Sequence, residues 1–98
     1  MTNKIKLIDL LTELIAFESV TPCDAGSLDY IAAFVENLGG SCVRLKRNQT
    51  TNLIATLGTG STVFAFAGHV DVVPTGDVTQ WITQEPFKLQ QIGDKLIG

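Results

Sequence analysis

His69 is the one histidine in the 98 residues, and Asp71 follows it after a single intervening residue. In an extended backbone, side chains two positions apart point to the same side. A carboxylate that holds one nitrogen of an imidazole leaves the other nitrogen free to bind a metal. The simpler interpretation is a histidine that only hydrogen-bonds a neighbouring loop, because His-x-Asp also arises by chance. Zinc takes three or four ligands, so the pair predicts at most part of a metal site.

Other residues that could carry chemistry form weaker patterns. The later acidic residues Asp77, Glu85 and Asp94 each adjoin a glycine or a proline and are predicted to be turn residues. No Gly-x-Ser-x-Gly sequence is present, which argues against a nucleophilic serine of the α/β-hydrolase type. Cys23 and Cys42 have neither a C-x-x-C nor a zinc-finger spacing, so both are expected to be free thiols.

The composition excludes several classes of function. Seven Lys and Arg stand against ten Asp and Glu, for a formal net charge of -3. Such a chain is poorly suited to bind the phosphates of nucleic acids. No run approaches the ~20 apolar residues of a membrane-spanning helix, and Asp9 and Glu13 interrupt the place where a signal peptide is apolar. We expect one cytoplasmic domain without a nucleic-acid or membrane partner.

Two helices are predicted to precede the strands. Residues 4–17 carry apolar side chains with a helical period. This helix is expected to end near Ser19, since Pro22 disfavours helical geometry in the residue before it. The second helix is predicted to begin at Ser27, with that hydroxyl as its cap, and to end at Gly39-Gly40.

Strands are predicted where the apolar residues alternate or form short runs, at 42–47, 52–57, 62–68, 87–91 and 95–97. A turn at 58–61 is expected to join the second and third of them in a hairpin. The third is apolar on both faces, which is typical of a central strand, and His69 follows its carboxyl end, where α/β sheets bind ligands. Two helices and several strands of a mixed sheet give an α/β fold.

Residues 68–77 read Gly-His-Val-Asp-Val-Val-Pro-Thr-Gly-Asp, followed by Trp81 and then Pro-Phe. This stretch, within residues 64–87, resembles the first metal-binding motif of the peptidase family M20. Val70 stands where the family usually has threonine. Upstream, Ser-Val-Thr-Pro-Cys-Asp at 19–24 also agrees with the family, so the resemblance extends over nearly the whole chain.

The resemblance implies the amino-terminal part of a zinc-exopeptidase-like catalytic domain. The family's active site holds two zinc ions, with cobalt as a possible substitute. His69 would be a ligand of one zinc, and Asp71 the catalytic acidic residue that supports it. The remaining ligands would lie beyond residue 98, so residues 1–98 are expected to be a truncated catalytic domain with at most a partial metal site and no activity alone.

The spacing up to Trp81 is closest to the desuccinylases of the family, which hydrolyse a succinyl amide in the synthesis of lysine and cell-wall precursors. The full-length enzymes act on a small molecule in the cytoplasm as homodimers. Deacetylases, aminoacylases and carboxypeptidases of the same family are alternatives. A different class is a non-catalytic binding module, whose open sheet edge after Ile97 would pair with a partner strand.

Overall fold

The computed structural model describes residues 6–98, which form two compact units. The terminal unit comprises residues 6–18 and Val73–Gly98, and the central unit comprises Ser19–Val72. Two helices precede the strands, so the predicted α/β fold class is confirmed. The described strands form two separate antiparallel pairs and not the mixed sheet that the sequence predicted. Within residues 6–98, no helix has the length and apolar character required to cross a bilayer.

Helix α2 spans Ser27–Asn37 and starts where the sequence predicts, but its cap differs. The N-cap is Gly26, at a φ of 95°. The hydroxyl of Ser27 is buried and donates to the backbone oxygen of Asp24 at 2.7 Å, so the prediction that it caps the helix is wrong. Gly39 has a φ of 91°, a left-handed geometry that glycine adopts without strain, and the predicted end of the helix is confirmed.

Strands β1 (Ser41–Arg47) and β2 (Thr50–Thr56) form an antiparallel hairpin in the central unit. Its connection is the two-residue turn Asn48-Gln49, in which Asn48 has a φ of 56°. Helix α2 packs on both strands, and its Leu28 and Ala32 are the buried apolar side chains of residues 6–98. The apolar core beside the hairpin is therefore small.

Residues 62–68 belong to neither described sheet, so the predicted central strand and its hairpin through 58–61 are wrong. Strands β1 and β2 pair with each other through their short turn, and a strand exists only where a neighbour completes its hydrogen-bond ladder. Phe64 and Phe66 are 82% and 92% exposed, and their rings form a tilted pair with centroids 5.0 Å apart. The apolar run is therefore an exposed surface.

The terminal unit contains helix α1 (Leu7–Ile15), a short 3₁₀ helix at Val78–Gln80, and strands β3 (Gln90–Ile92) and β4 (Lys95–Ile97). Helix α1 ends at Ile15, before the predicted end near Ser19, and residues 4 and 5 of its predicted range lie outside the described residues. The strand predicted at 87–91 begins only at Gln90, and the one at 95–97 is confirmed.

Candidate metal site

The imidazole of His69 and the carboxylate of Asp71 are in contact within the central unit. Nδ1 of His69 lies 3.0 Å from Oδ1 of Asp71 and 3.0 Å from the backbone oxygen of the same residue. Both neighbours are acceptors, so a neutral ring that makes these contacts carries its proton on Nδ1. The His69 side chain is 82% exposed. Its Nε2 lone pair is then available to a ligand from solvent.

The second carboxylate oxygen of Asp71 accepts a hydrogen bond from Thr21. The distance from Oγ1 of Thr21 to Oδ2 of Asp71 is 2.7 Å. This bond, followed by the bond from His69, lowers the pKa of the Asp71 carboxyl below its ordinary value. Hydrogen bonds to the charged form stabilise it, so Asp71 is an anion at neutral pH.

Residues 19–21 run parallel to residues 70–72 and hold them in place. The backbone nitrogen of Thr21 donates to the oxygen of Val72 at 3.0 Å, and the nitrogen of Val72 donates to the oxygen of Ser19 at 2.9 Å. Val20 and Val72 form a parallel bridge. The buried hydroxyl of Ser19 donates to the oxygen of Val70 at 2.7 Å. The backbone after His69 is thus fixed by a segment 50 residues earlier in the chain.

The sequence predicts the proximity of His69 and Asp71 but not the contribution of Ser19 and Thr21. Ser19 was expected only near the end of the first helix, and both residues lie in the segment at 19–24 that agrees with the family. The available signal was a pair of hydroxyl residues two positions apart, next to Pro22. Hydroxyl side chains in irregular segments commonly bond to nearby backbone, but their partner here is distant in sequence.

A cleft of about 480 Å³ in the central unit contains this pair at its wall. Its lining combines polar and apolar side chains, among them Cys23, Leu28, Asn52, Leu53, His69 and Asp71.

Cys23 is exposed and Cys42 is half-buried, and both are free thiols as predicted.

Within residues 6–98, no group of three or more His, Cys, Asp or Glu side chains is placed to hold a metal ion. The turn assignment of Asp77 is confirmed, because its carboxylate accepts from the backbone nitrogen of Thr79 at 3.0 Å and caps the 3₁₀ helix. Glu85 accepts from the side-chain amide of Gln90 at 2.9 Å, and Asp94 lies in the turn between β3 and β4.

Several curated proteins are similar in sequence to this chain over most of its length. No protein-family model matches the chain. A curated succinyl-diaminopimelate desuccinylase of Legionella pneumophila (strain Lens) is 41% identical over 92 residues, which is 94% of this chain and 24% of that protein. The Rhodospirillum centenum protein of the same name is 44% identical over 96 residues, and that of Phenylobacterium zucineum is 38% identical over 98 residues.

These matches confirm the resemblance found in the sequence, since the chain is about 40% identical to these proteins over nearly its whole length. The proteins it matches over nearly its whole length are succinyl-diaminopimelate desuccinylases. The chain spans about a quarter of the length of these relatives.

Proposed function

We propose that the chain contributes His69 and Asp71 to the active site of a zinc-dependent amide hydrolase. The reaction is the hydrolysis of N-succinyl-L,L-diaminopimelate to succinate and L,L-diaminopimelate, a step toward lysine and cell-wall precursors. The names of the relatives support the hydrolase and the pathway. The observation that carries the site is the 3.0 Å contact between Nδ1 of His69 and Oδ1 of Asp71. A carboxylate on one nitrogen of a metal-binding histidine is the usual arrangement at zinc sites.

The residues of this chain fit zinc as part of a site. An exposed imidazole with an acceptor at Nδ1 offers Nε2 as one ligand. Within residues 6–98 no third donor is placed nearby. In this proposal the other ligands belong to the remainder of a protein of the relatives' length, of which this chain spans about a quarter. Zinc, or cobalt in its place, polarises the amide carbonyl and activates water when bound.

Each of the two residues has a separate task in this proposal. His69 supplies a neutral nitrogen to the metal. Asp71 keeps the proton on Nδ1 and fixes the orientation of the ring, and its negative charge compensates part of the charge of the cation. Residues 1–98 alone are proposed to bind zinc weakly and to hydrolyse no substrate, since one imidazole cannot hold the ion against water.

The remaining features of the proposal follow the family resemblance. The full-length protein acts on a small molecule in the cytoplasm, as a homodimer, and requires neither nucleic acid nor a membrane. The exposed, partly polar wall of the cleft at His69 is compatible with a small charged substrate. Discrimination between a succinyl amide and the acetyl amide of an acetylornithine deacetylase depends on segments beyond this chain.

An exchange protein tests the roles of the two residues. In it, the matched portion of the Legionella pneumophila (strain Lens) desuccinylase is replaced by the matching residues of this chain. We expect it to hydrolyse N-succinyl-L,L-diaminopimelate when zinc is supplied. Substitution His69→Ala should reduce hydrolysis to background, and Asp71→Asn should lower the activity or the zinc affinity by about 10- to 100-fold.

The matched control is Asp29→Asn, which removes one carboxylate of the central unit. Asp29 pairs with Arg44 at 2.7 Å on an exposed surface, where ion pairs contribute little, so the exchange protein should keep its activity. An exchange protein that remains fully active after His69→Ala would overturn the proposed role of this residue.

A further inference from the structure

The carboxylate of Asp71 needs a second partner if it is to orient His69. Its side chain is 45% exposed, and the terminal torsion of an aspartate is broad and nearly two-fold. A carboxylate that contacts only the imidazole could rotate about its terminal torsion away from the ring, and water could take the place of the ring. The bond from Thr21 to Oδ2 restrains this rotation, because it holds the carboxylate in the orientation in which Oδ1 faces Nδ1.

The hydroxyl of Thr21 is itself held in position by the backbone. The backbone nitrogen of Thr21 donates to the backbone oxygen of Val72 at 3.0 Å. Val72 directly follows Asp71, the residue that the hydroxyl contacts. Oγ1 of Thr21 is 2.7 Å from Oδ2 of Asp71 and 3.2 Å from the oxygen of Val72. A hydroxyl has one proton to donate, and a charged acceptor at the shorter distance takes it.

We infer that Thr21 is a positioning residue of the site, which acts through Asp71 to keep the proton of His69 on Nδ1 and Nε2 free. The chain of contacts is Thr21 Oγ1 to Asp71 Oδ2, then Asp71 Oδ1 to His69 Nδ1. The inference rests on the proposed function for its purpose, the presentation of Nε2 to zinc. The contacts themselves require no metal, so the inference can be tested without one.

The experiment measures the tautomer of His69 in the 98-residue chain. Nitrogen-15 in the imidazole is correlated with the ring protons in the pH range where the ring is neutral, which shows which nitrogen carries the proton. In the unmodified chain we expect the proton mainly on Nδ1. Thr21→Val keeps the shape of the side chain and removes the donor, and it should lower the ratio of the Nδ1–H to the Nε2–H form by roughly fivefold, the factor of one ordinary hydrogen bond.

Two further variants separate positioning from general stability. Thr21→Ser keeps the hydroxyl and should keep the tautomer ratio of the unmodified chain. Thr50→Val makes the same chemical change at another threonine that lines the cleft, and it should leave His69 unaffected. The amide resonances of helix α2, which lies in the same unit, report whether each variant is folded.

The inference is overturned if the unmodified chain carries its proton on Nε2, or if Thr21→Val leaves the ratio unchanged. It is also overturned if Thr21→Val and Thr21→Ala both unfold α2, since the hydroxyl would then serve the fold as a whole. The zinc content of the exchange protein is a separate test of the proposed function. The tautomer ratio of His69 could respond to Thr21 while His69 takes no zinc in the exchange protein. That pair of results would support the inference and contradict the proposed function.

Discussion

Asp71 makes one polar contact through each carboxylate oxygen, with His69 on one side and Thr21 on the other. At the scale of single residues, the two contacts fix the orientation of the partly exposed Asp71 carboxylate as the acceptor for His69. The spacing of His69 and Asp71 was enough to predict that they lie close together, because side chains two positions apart point to the same side of an extended backbone. The Thr21 contact could not be predicted, since it depends on the way that a segment 50 residues away is placed.

The carboxyl of Asp77, which caps the 3₁₀ helix, leads to a prediction about how this helix depends on pH. The side-chain hydroxyl of Thr79, at 2.7 Å, and then its backbone nitrogen lower the pKa of the Asp77 carboxyl. A depressed pKa means that the stabilisation is present above the pKa of the unfolded chain and is lost as the pH falls through the folded value. The 3₁₀ helix should therefore loosen only in acid, below the range in which an ordinary aspartate titrates.

The measurement is a carbon-13 titration of the Asp77 carboxyl. Thr79→Val, which removes the hydroxyl and keeps the backbone donor, should raise the pKa part of the way toward the ordinary value. Thr79→Ser should leave the pKa low. If the unmodified carboxyl titrates like that of an unstructured peptide, the cap is not formed in solution.

The two thiols should differ in reactivity. Cys23 is exposed in the cleft, whereas Cys42 is half-buried and its Sγ lies 3.7 Å from the backbone oxygen of Ala32. Because access limits the reaction of a thiol, we expect Cys23 to react first with a disulfide reagent. Stopped-flow absorbance should show two phases, and Cys23→Ser should remove the fast one. Loss of the slow phase in that variant would reverse the assignment.

At the scale of elements, Gly40 fixes the junction between α2 and β1. A methyl group at this position would lie 2.5 Å from Cγ1 of Val35 and 2.7 Å from the backbone oxygen of Thr56. The backbone oxygen cannot move without disturbing β2. Gly40→Ala should therefore destabilise the packing of α2 on the hairpin by about 1–3 kcal/mol, seen as faster hydrogen exchange of the α2 and β2 amides.

Gly60→Ala is the matched control for this prediction. The nearest atom to a methyl group there is 4.0 Å away, so the exchange rates of α2 and β2 should not change. Equal protection in Gly40→Ala and in the unmodified chain would show that the junction is looser than the structure describes.

Local sequence patterns predicted most of these elements. Helix α2, β1, β2 and β4 lie close to their predicted ranges, because each is specified by its own periodicity. The pairing was mispredicted for a physical reason. Both Asn48-Gln49 and residues 58–61 could turn the chain, and only the contacts between strands decide which turn makes the hairpin. The apolar character of residues 62–68 could not show that β2 pairs with β1 and not with this run.

At the scale of the whole molecule, residues 63–66 form an exposed apolar run in the described part of the chain. Phe64 and Phe66 are more than four-fifths exposed, and Val63 beside them is 83% exposed. Contiguous exposed apolar side chains promote association. We expect the chain to self-associate with rising concentration, and Phe64→Ser with Phe66→Ser to reduce this in sedimentation velocity experiments. Ile82→Ser, which removes a single side chain of 80% exposure outside this run, should have a smaller effect.

Unchanged self-association in the double variant would mean that another surface is responsible. In that case the binding-module hypothesis, in which the sheet edge at Lys95–Ile97 pairs with a partner strand, would be examined next by proline substitution at Leu96.

The zinc content of the exchange protein tests the central claim, that His69 is a metal ligand, most directly. Metal analysis after dialysis should find two zinc ions per chain in the unmodified exchange protein, as the family resemblance implies, and one fewer after His69→Ala. Asp29→Asn should retain the full content. The same zinc content with and without His69 would contradict the account, because the contact with Asp71 would then orient a histidine that holds no metal.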